Sequence, residues 1–323
     1  MGFAPDGTLH YSVVTGDFDV FAADLGQGGA RPTAPVRVSS RVVDINTSPS
    51  WSPDGRALAV VSSRGPFSND PGATRVIVHD LEAGRAREFG VATRLPSAQV
   101  SWSPDGRRLA LKGFLGDAWG VHLLDAAAGT LLESIEVPAS SRFVEQQLGQ
   151  AVWGGGEHTL ILVRDQGIAV FDLESRRLTE AVTAADGRVR MVAVSPDSRL
   201  VAYSVERDGR WSVRVAGLDN RPARDIVVAD AGEAVIAEAW TPDGREILFT
   251  RFRTDIPWKD RREQLWRVAG DGGAARATGL EVAGMREVRM HPDGRRVAFT
   301  AGYRTLELWA LEGLAGDLAA LRR

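Results

Sequence analysis

The sequence predicts an all-β protein, a seven-bladed β-propeller of four-stranded antiparallel blades, with a six-bladed ring as the alternative. The first observation is a heptapeptide that stands verbatim at Ser50-Trp51-Ser52-Pro53-Asp54-Gly55-Arg56 and again at Ser101-Trp102-Ser103-Pro104-Asp105-Gly106-Arg107. Looser copies fall at Phe3 to Gly7, Val194 to Arg199, Trp240 to Arg245 and Met290 to Arg295, with a degraded one at Trp153 to Gly156. The second is their spacing. The motif prolines stand at 5, 53, 104, 196, 242 and 292, with Gly155 in the remaining place, and a period of roughly 40 to 50 residues is that of four-stranded propeller blades. The third is that strand-length apolar runs bounded by Gly, Pro and Asp follow each turn, with no sustained helical period before the tail.

Each element of the unit has a physical reason. Pro presets φ at the first corner of the turn, Asp can bond its own backbone, and Gly supplies the left-handed residue that closes a hairpin. An apolar strand leaves the turn, for example Leu58 to Val61, Leu160 to Val163, Ile247 to Phe249 or Val297 to Phe299. After a variable loop comes a third strand ending in an acid turn, as in Val20 to Leu25, Val76 to Leu81 and Ile168 to Leu173. A short fourth strand such as Ala86 to Phe89 or Arg177 to Glu180 completes it. Blades are placed near 1–46, 47–97, 98–148, 149–188, 189–234, 235–284 and 285–312, as one domain over 1–312, with a tail at 313–323 that can form a short helix. Residues 1–4 are expected as the innermost strand of the first unit. The last unit is expected to have three strands or to borrow one, because an unpaired edge invites aggregation.

Composition narrows the function classes. Hydrophobic residues make up 44% and charged residues 25%, with a formal net charge of -3, so neither nucleic acid nor an anionic membrane is favoured. No run approaches the roughly 18 to 20 apolar residues of a membrane span. Cysteine is absent, which excludes disulfides, thiolate catalysis and Cys-ligated metal.

The pattern Trp-Ser-Pro-Asp-Gly-Arg, apolar strand, loop, strand ending Asp-Leu resembles the repeats of the TolB-like propeller family over essentially the whole chain, a WD40-like array. The ending, Arg295 to Gly302 followed by Glu307 to Glu312, also resembles the last blade of propellers fused behind bacterial kinase or DNA-binding modules. The resemblance implies a bacterial sensory or scaffolding propeller in a periplasmic or extracytoplasmic setting. TolB itself has six blades and an additional N-terminal domain, whereas this chain shows seven turns.

Catalytic chemistry has little to stand on. The five histidines, 10, 79, 122, 158 and 291, share no metal-ligand spacing and read as satisfied structural residues. No Gly-x-Ser-x-Gly elbow occurs, and the glycines at 154–156 lack the Gly-Lys-Ser/Thr ending of a phosphate loop. One carboxylate per turn, as at Asp54, Asp105 and Asp243, cannot supply the six to eight oxygens of a calcium site. No catalytic residue, metal or cofactor is expected.

Topology says more. The Pro-Asp-Gly turns join strands one and two and lie on one face, so the loops between strands two and three lie on the other. That face carries the long variable pieces 63–74, 138–147 and 251–263, and loops on a rigid scaffold are where binding resides. The expected binding residues are Arg64, Phe67, Arg142, Arg253, Asp255, Trp258, Lys259 and Arg261. Trp258 is singled out because the other eight tryptophans fall on repeat positions and read as core. Its bland reading is a plug formed with Ile256 and Pro257; its functional reading is an anchor beside Arg253, Lys259 and Arg261, the aromatic-plus-Arg combination of interface hot spots. The leading function is a non-catalytic module that docks a protein or peptide, or takes a small ligand, on the loop face and channel mouth. The alternative is a gating or substrate-binding propeller of a hydrolase or peptidase.

Overall fold

The structure is a computed structural model and describes residues 2–4, 8–26, 30–38, 45–63, 74–91, 99–115, 118–136, 151–154, 156–164, 167–183, 187–219 and 221–311. The tail at 313–323 and the candidates Arg64, Phe67 and Arg142 lie outside these residues.

Turns of one composition produce hairpins of one geometry. In the first full copy Ser52 donates its hydroxyl to Asp54 at 2.6 Å and accepts the Ala57 N–H at 2.9 Å, while Asp54 also accepts the Arg56 N–H at 3.0 Å. The same three bonds recur at Ser103 and Asp105, at Ser195 and Asp197, and at Thr241 and Asp243. Gly55, Gly106, Gly244 and Gly294 all have φ near 70°, the conformation glycine adopts without a Cβ clash. The motif aspartates therefore cap turns.

Seven antiparallel sheets form, and the chain is all-β apart from one 3₁₀ turn at Trp258–Asp260 among the described residues. In chain order the first strands are β1 (Gly2–Phe3), β2 (Leu9–Thr15), β3 (Phe18–Asp24) and β4 (Val36–Arg37). Five regular blades follow. They are β5 (Ile45–Trp51), β6 (Ala57–Ser63), β7 (Thr74–Asp80) and β8 (Arg85–Val91); β9 (Gln99–Trp102), β10 (Arg108–Leu115), β11 (Ala118–Asp125) and β12 (Leu131–Glu136); β13 (Ala151–Trp153), β14 (Thr159–Arg164), β15 (Gly167–Asp172) and β16 (Arg177–Thr183). The fourth and fifth are β17 (Arg188–Val194), β18 (Leu200–Arg207), β19 (Arg210–Gly217) and β20 (Arg224–Val228); then β21 (Glu233–Trp240), β22 (Glu246–Arg253), β23 (Arg262–Ala269) and β24 (Arg276–Ala283). The chain ends with β25 (Arg286–Met290), β26 (Arg296–Gly302) and β27 (Thr305–Leu311).

The terminal units exchange strands. β25 and β26 pair onward with β3 and β4, making a sixth four-stranded blade, while β27 pairs with β2, which carries β1 on its other edge. The last unit thus borrows two strands where one was expected, and gives one up. β5 packs on β9, β9 on β13, β14 on β17, β17 on β21 and β21 on β25, and β25, β26 and β3 pack back on β5. The ring itself therefore closes with six blades, and the seventh sheet, β1-β2-β27, stands outside it. Six apolar clusters fill the six blade interfaces. At the seam Val20 and Ala298 meet Trp51, Leu58, Val60 and Ile77. Elsewhere, for example, Val61 and Val78 meet Leu109 and Leu111, and Leu248 and Leu265 meet Val297 and Phe299.

The motif tryptophans fill the same interfaces. Trp51, Trp153 and Trp240 are buried, and each donates its indole N–H to a carbonyl of the neighbouring blade: Arg289, Ser101 and Ala193. Trp102 is only half-buried, and its indole nitrogen has no hydrogen-bond partner. His291, in the Ser place of its turn, locks the seam: its Nε2 donates to Gly55 at 2.9 Å, and its ring sits edge-on to Trp51.

Candidate functional site

The inner strands line the channel, and at the loop face they are irregular. Register shifts in β5, β17, β21 and β25 turn the residues near each bulge toward the axis. Ser48 and Glu287 have φ of 56° and 54° there, a conformation non-glycine residues rarely adopt. Neighbouring blades hold each other through these bulges. Glu287 accepts the Ser48 N–H at 2.8 Å and the Thr300 hydroxyl at 2.6 Å, and the Ser48 hydroxyl accepts the Val100 N–H at 3.2 Å.

Above the bulges lies a cavity of about 490 Å³. Its floor and walls include Thr47, Arg190, Ile236 and Arg286 from inner strands, Trp211 and Phe252 from the loop-face ends of β19 and β22, and Trp258 and Arg261 from the loop that carries the 3₁₀ turn. Its acids are engaged. Glu263 accepts from Arg261 at 2.7 Å and from the Met285 N–H at 3.1 Å. Glu238 accepts the Val288 N–H at 2.9 Å and the Thr250 hydroxyl at 3.1 Å, and its burial pushes its pKa up to about 7. The Arg289 charge opposes that rise.

The cations are less well matched. Arg286 lies 3.7 Å from the centre of the Phe18 ring and 5.3 Å from that of Trp258. Among the described residues its guanidinium makes no ion pair or hydrogen bond, and burial lowers its pKa against the fields of Glu287, Glu263 and Glu238. Arg261 sits over Phe252 at 3.9 Å and over Trp258 at 5.1 Å. Trp258 therefore lies close to two guanidinium groups, edge-on to Phe18, and remains 40% exposed.

The expected residues part company here. Trp258 and Arg261 reach the cavity. Arg253 and Asp255 are exposed and bonded to each other, and Lys259 is exposed on the 3₁₀ turn. Arg190, Trp211, Glu238, Phe252 and Arg286 were not among them. The signal for four of the wall residues was an offset: Thr47, Arg190, Ile236 and Arg286 each stand six residues before a motif proline.

Away from the cavity, His122 and Ser134 face each other on β11 and β12. The Nε2 of His122 donates to the Gly113 carbonyl at 3.0 Å, so its Nδ1 accepts the Ser134 hydroxyl at 3.0 Å, and burial lowers its pKa. Both ring nitrogens are thus satisfied within the sheet.

No family model matches the chain. A protein of Agrobacterium fabrum carrying no functional name is 26% identical over 77% of this chain and 80% of its own length. The TolB protein of the Tol-Pal system of Anaeromyxobacter dehalogenans is 29% identical over 39% of this chain and 28% of its own length. An uncharacterised peptidase of Bacillus subtilis, YuxL, is 26% identical over 49% of this chain, which spans 22% of that protein. The chain thus spans under a third of these last two relatives. Among solved structures, one from Agrobacterium tumefaciens assigned to TolB superposes with a TM-score of 0.69 over 90% of this chain and 99% of the other, at 18% identity. The chain has a TolB-like propeller fold. TolB from Acinetobacter baumannii superposes with a TM-score of 0.58 over 88% of this chain and 63% of its own, at 16% identity. Among the described residues of this TolB-like propeller no helix is long and apolar enough to cross a membrane.

Proposed function

We propose that this TolB-like propeller is a non-catalytic binding module that takes a protein segment or peptide at the loop-face mouth of its channel. The observation that carries the reading is the mouth cavity, where a half-exposed Trp258 and an Arg286 without an acidic partner meet in a cleft whose carboxylates are already bonded. Convergent apolar surface with few polar groups is the usual form of a binding cleft. The likeness to TolB of the Tol-Pal system supports a protein partner, and with it a periplasmic or extracytoplasmic setting. Arg253, Asp255 and Lys259 are proposed as rim contacts, and Arg64, Phe67 and Arg142 as further contacts.

A peptide library panned on the immobilised chain tests this. Selected peptides should lose about 2 kcal/mol, roughly 30-fold in affinity, on Trp258→Ala. Undiminished affinity in that variant would remove the mouth from the account. The second reading, a gating propeller of a peptidase, is favoured by the likeness to the Bacillus subtilis protein. A hydrolase sequence following this segment in the full reading frame would favour it.

A further inference from the structure

The strands of the two terminal units form one continuous ladder. Leu9 faces Leu311, Thr15 faces Thr305, Phe18 faces Gly302 and Asp24 faces Arg296, so residues 9–24 and 296–311 keep a single register throughout. Half of this ribbon is the middle of the sixth blade; the other half, with β1 added, is the sheet outside the ring. The two halves join at Gly16-Asp17 and Tyr303-Arg304. The crossing is close: Gly16 has φ of +82°, and a Cβ there would lie 2.3 Å from the Tyr303 carbonyl oxygen.

The outer half has the side chains of a blade interior. Leu308, Trp309 and Leu311 of β27 repeat Leu265, Trp266 and Val268 of the third strand β23. Leu265 and Val268 are 0% and 1% exposed, whereas Leu308 and Leu311 are 84% and 46% exposed. The connection from β2 to β3 has hairpin chemistry as well. Gly16-Asp17 is the same dipeptide as Gly116-Asp117, which joins β10 to β11 with Leu115 opposite Ala118. Glycine at the first central position is the mark of a type II′ two-residue hairpin.

We propose that residues 9–24 and 296–311 have two pairings, the crossed ribbon and a pair of separate hairpins turning at 16–17 and 303–304. In the second, β1 to β4 form one blade and β25 to β27 another, and Leu308, Trp309 and Leu311 gain a neighbouring blade. Two strand pairs are exchanged for two, so the states differ by packing more than by hydrogen bonds, as in proteins where one sequence supports two packings. The exchange also withdraws Phe18 from Arg286 and Trp258. Closure and occupancy of the mouth are then linked, a consequence that rests on the mouth being the binding site.

Because the chain has no cysteine, engineered pairs report the pairing. Ser12→Cys with Leu308→Cys places thiols on facing residues of the ribbon. His10→Cys with Ala23→Cys places them on facing residues of the β2-β3 hairpin, yet at opposite ends of the ribbon, roughly 40 Å apart. Under mild oxidation of the full chain each double variant is expected to form an intramolecular disulfide, read as a mobility shift of the monomer band. Closure of only one pair, whichever it is, means a single pairing and overturns the proposal; closure of neither overturns it equally. These outcomes do not depend on any ligand, so they stand apart from the peptide-binding test.

Discussion

Glu238 shows how far one residue departs from what its type suggests. Its pKa of about 7 lies above the ordinary 4.5 because burial disfavours the charge. Between those values the folded chain holds a proton that the unfolded chain has released, so this group's contribution to stability falls as pH rises from about 4.5 to 7. Glu238→Gln keeps one oxygen for the Val288 N–H, turns its amide N–H2 toward the Thr250 hydroxyl as a donor, and carries no charge. The variant is expected to match the parent near pH 5 and to exceed it by on the order of 2 kcal/mol at pH 8. Urea midpoints at the two pH values check this, and parallel pH dependence of the two proteins would refute it. The motif tryptophans split in the same way. Trp240→Ala should cost about 3–5 kcal/mol through a cavity and a lost bond to Ala193. Trp102→Ala, at a half-buried site with an unpartnered indole nitrogen, should cost about 1 kcal/mol. Equal denaturation midpoints for the two variants would contradict the packing described. Trp258 stood out because it fell off the repeat, whereas Arg286 was marked only by its offset from a motif proline. Its basic character looks ordinary in an Arg-rich sequence, and only the bulge in β25 turns it into the mouth.

At the scale of elements the turn is the best-read feature, because each of its bonds is local and lies within six consecutive residues. The Asp and Gly roles in it were recoverable from the motif, whereas the two bonds of the Ser hydroxyl were not. Where the motif departs from itself, the structure has made use of the change. His291 replaces Ser, reaches across the seam to Gly55, and sits beneath Trp51. His291→Ser restores the regular turn but removes the cross-blade bond and the ring contact. It is expected to lower stability by about 1–2 kcal/mol, measured by chemical denaturation. A variant as stable as the parent would show that the seam does not depend on His291. Trp211 was read as core for a reason that also lies at this scale. Phe18 and Trp211 begin third strands, and that end of a third strand is the edge of the mouth.

For the whole molecule, the repeats state where blades begin but not which strands close the ring. Every unit has the same pattern of strands, so β3 fits beside β26 as well as beside β2, and only packing decides between them. That is why seven turns give seven sheets yet a ring of six. The closed ring is what places Phe18 from one terminus against Arg286 from the other, and the mouth as a binding site depends on it. The most direct measurement is to attach a photoreactive residue to a peptide selected on this chain and to map the crosslinks by mass spectrometry. The account predicts crosslinks at Trp211, Phe252, Trp258, Arg261 and Arg286, around the loop-face mouth. Crosslinks concentrated instead on the turn face, at 53–56, 104–107 and 242–245, would contradict it.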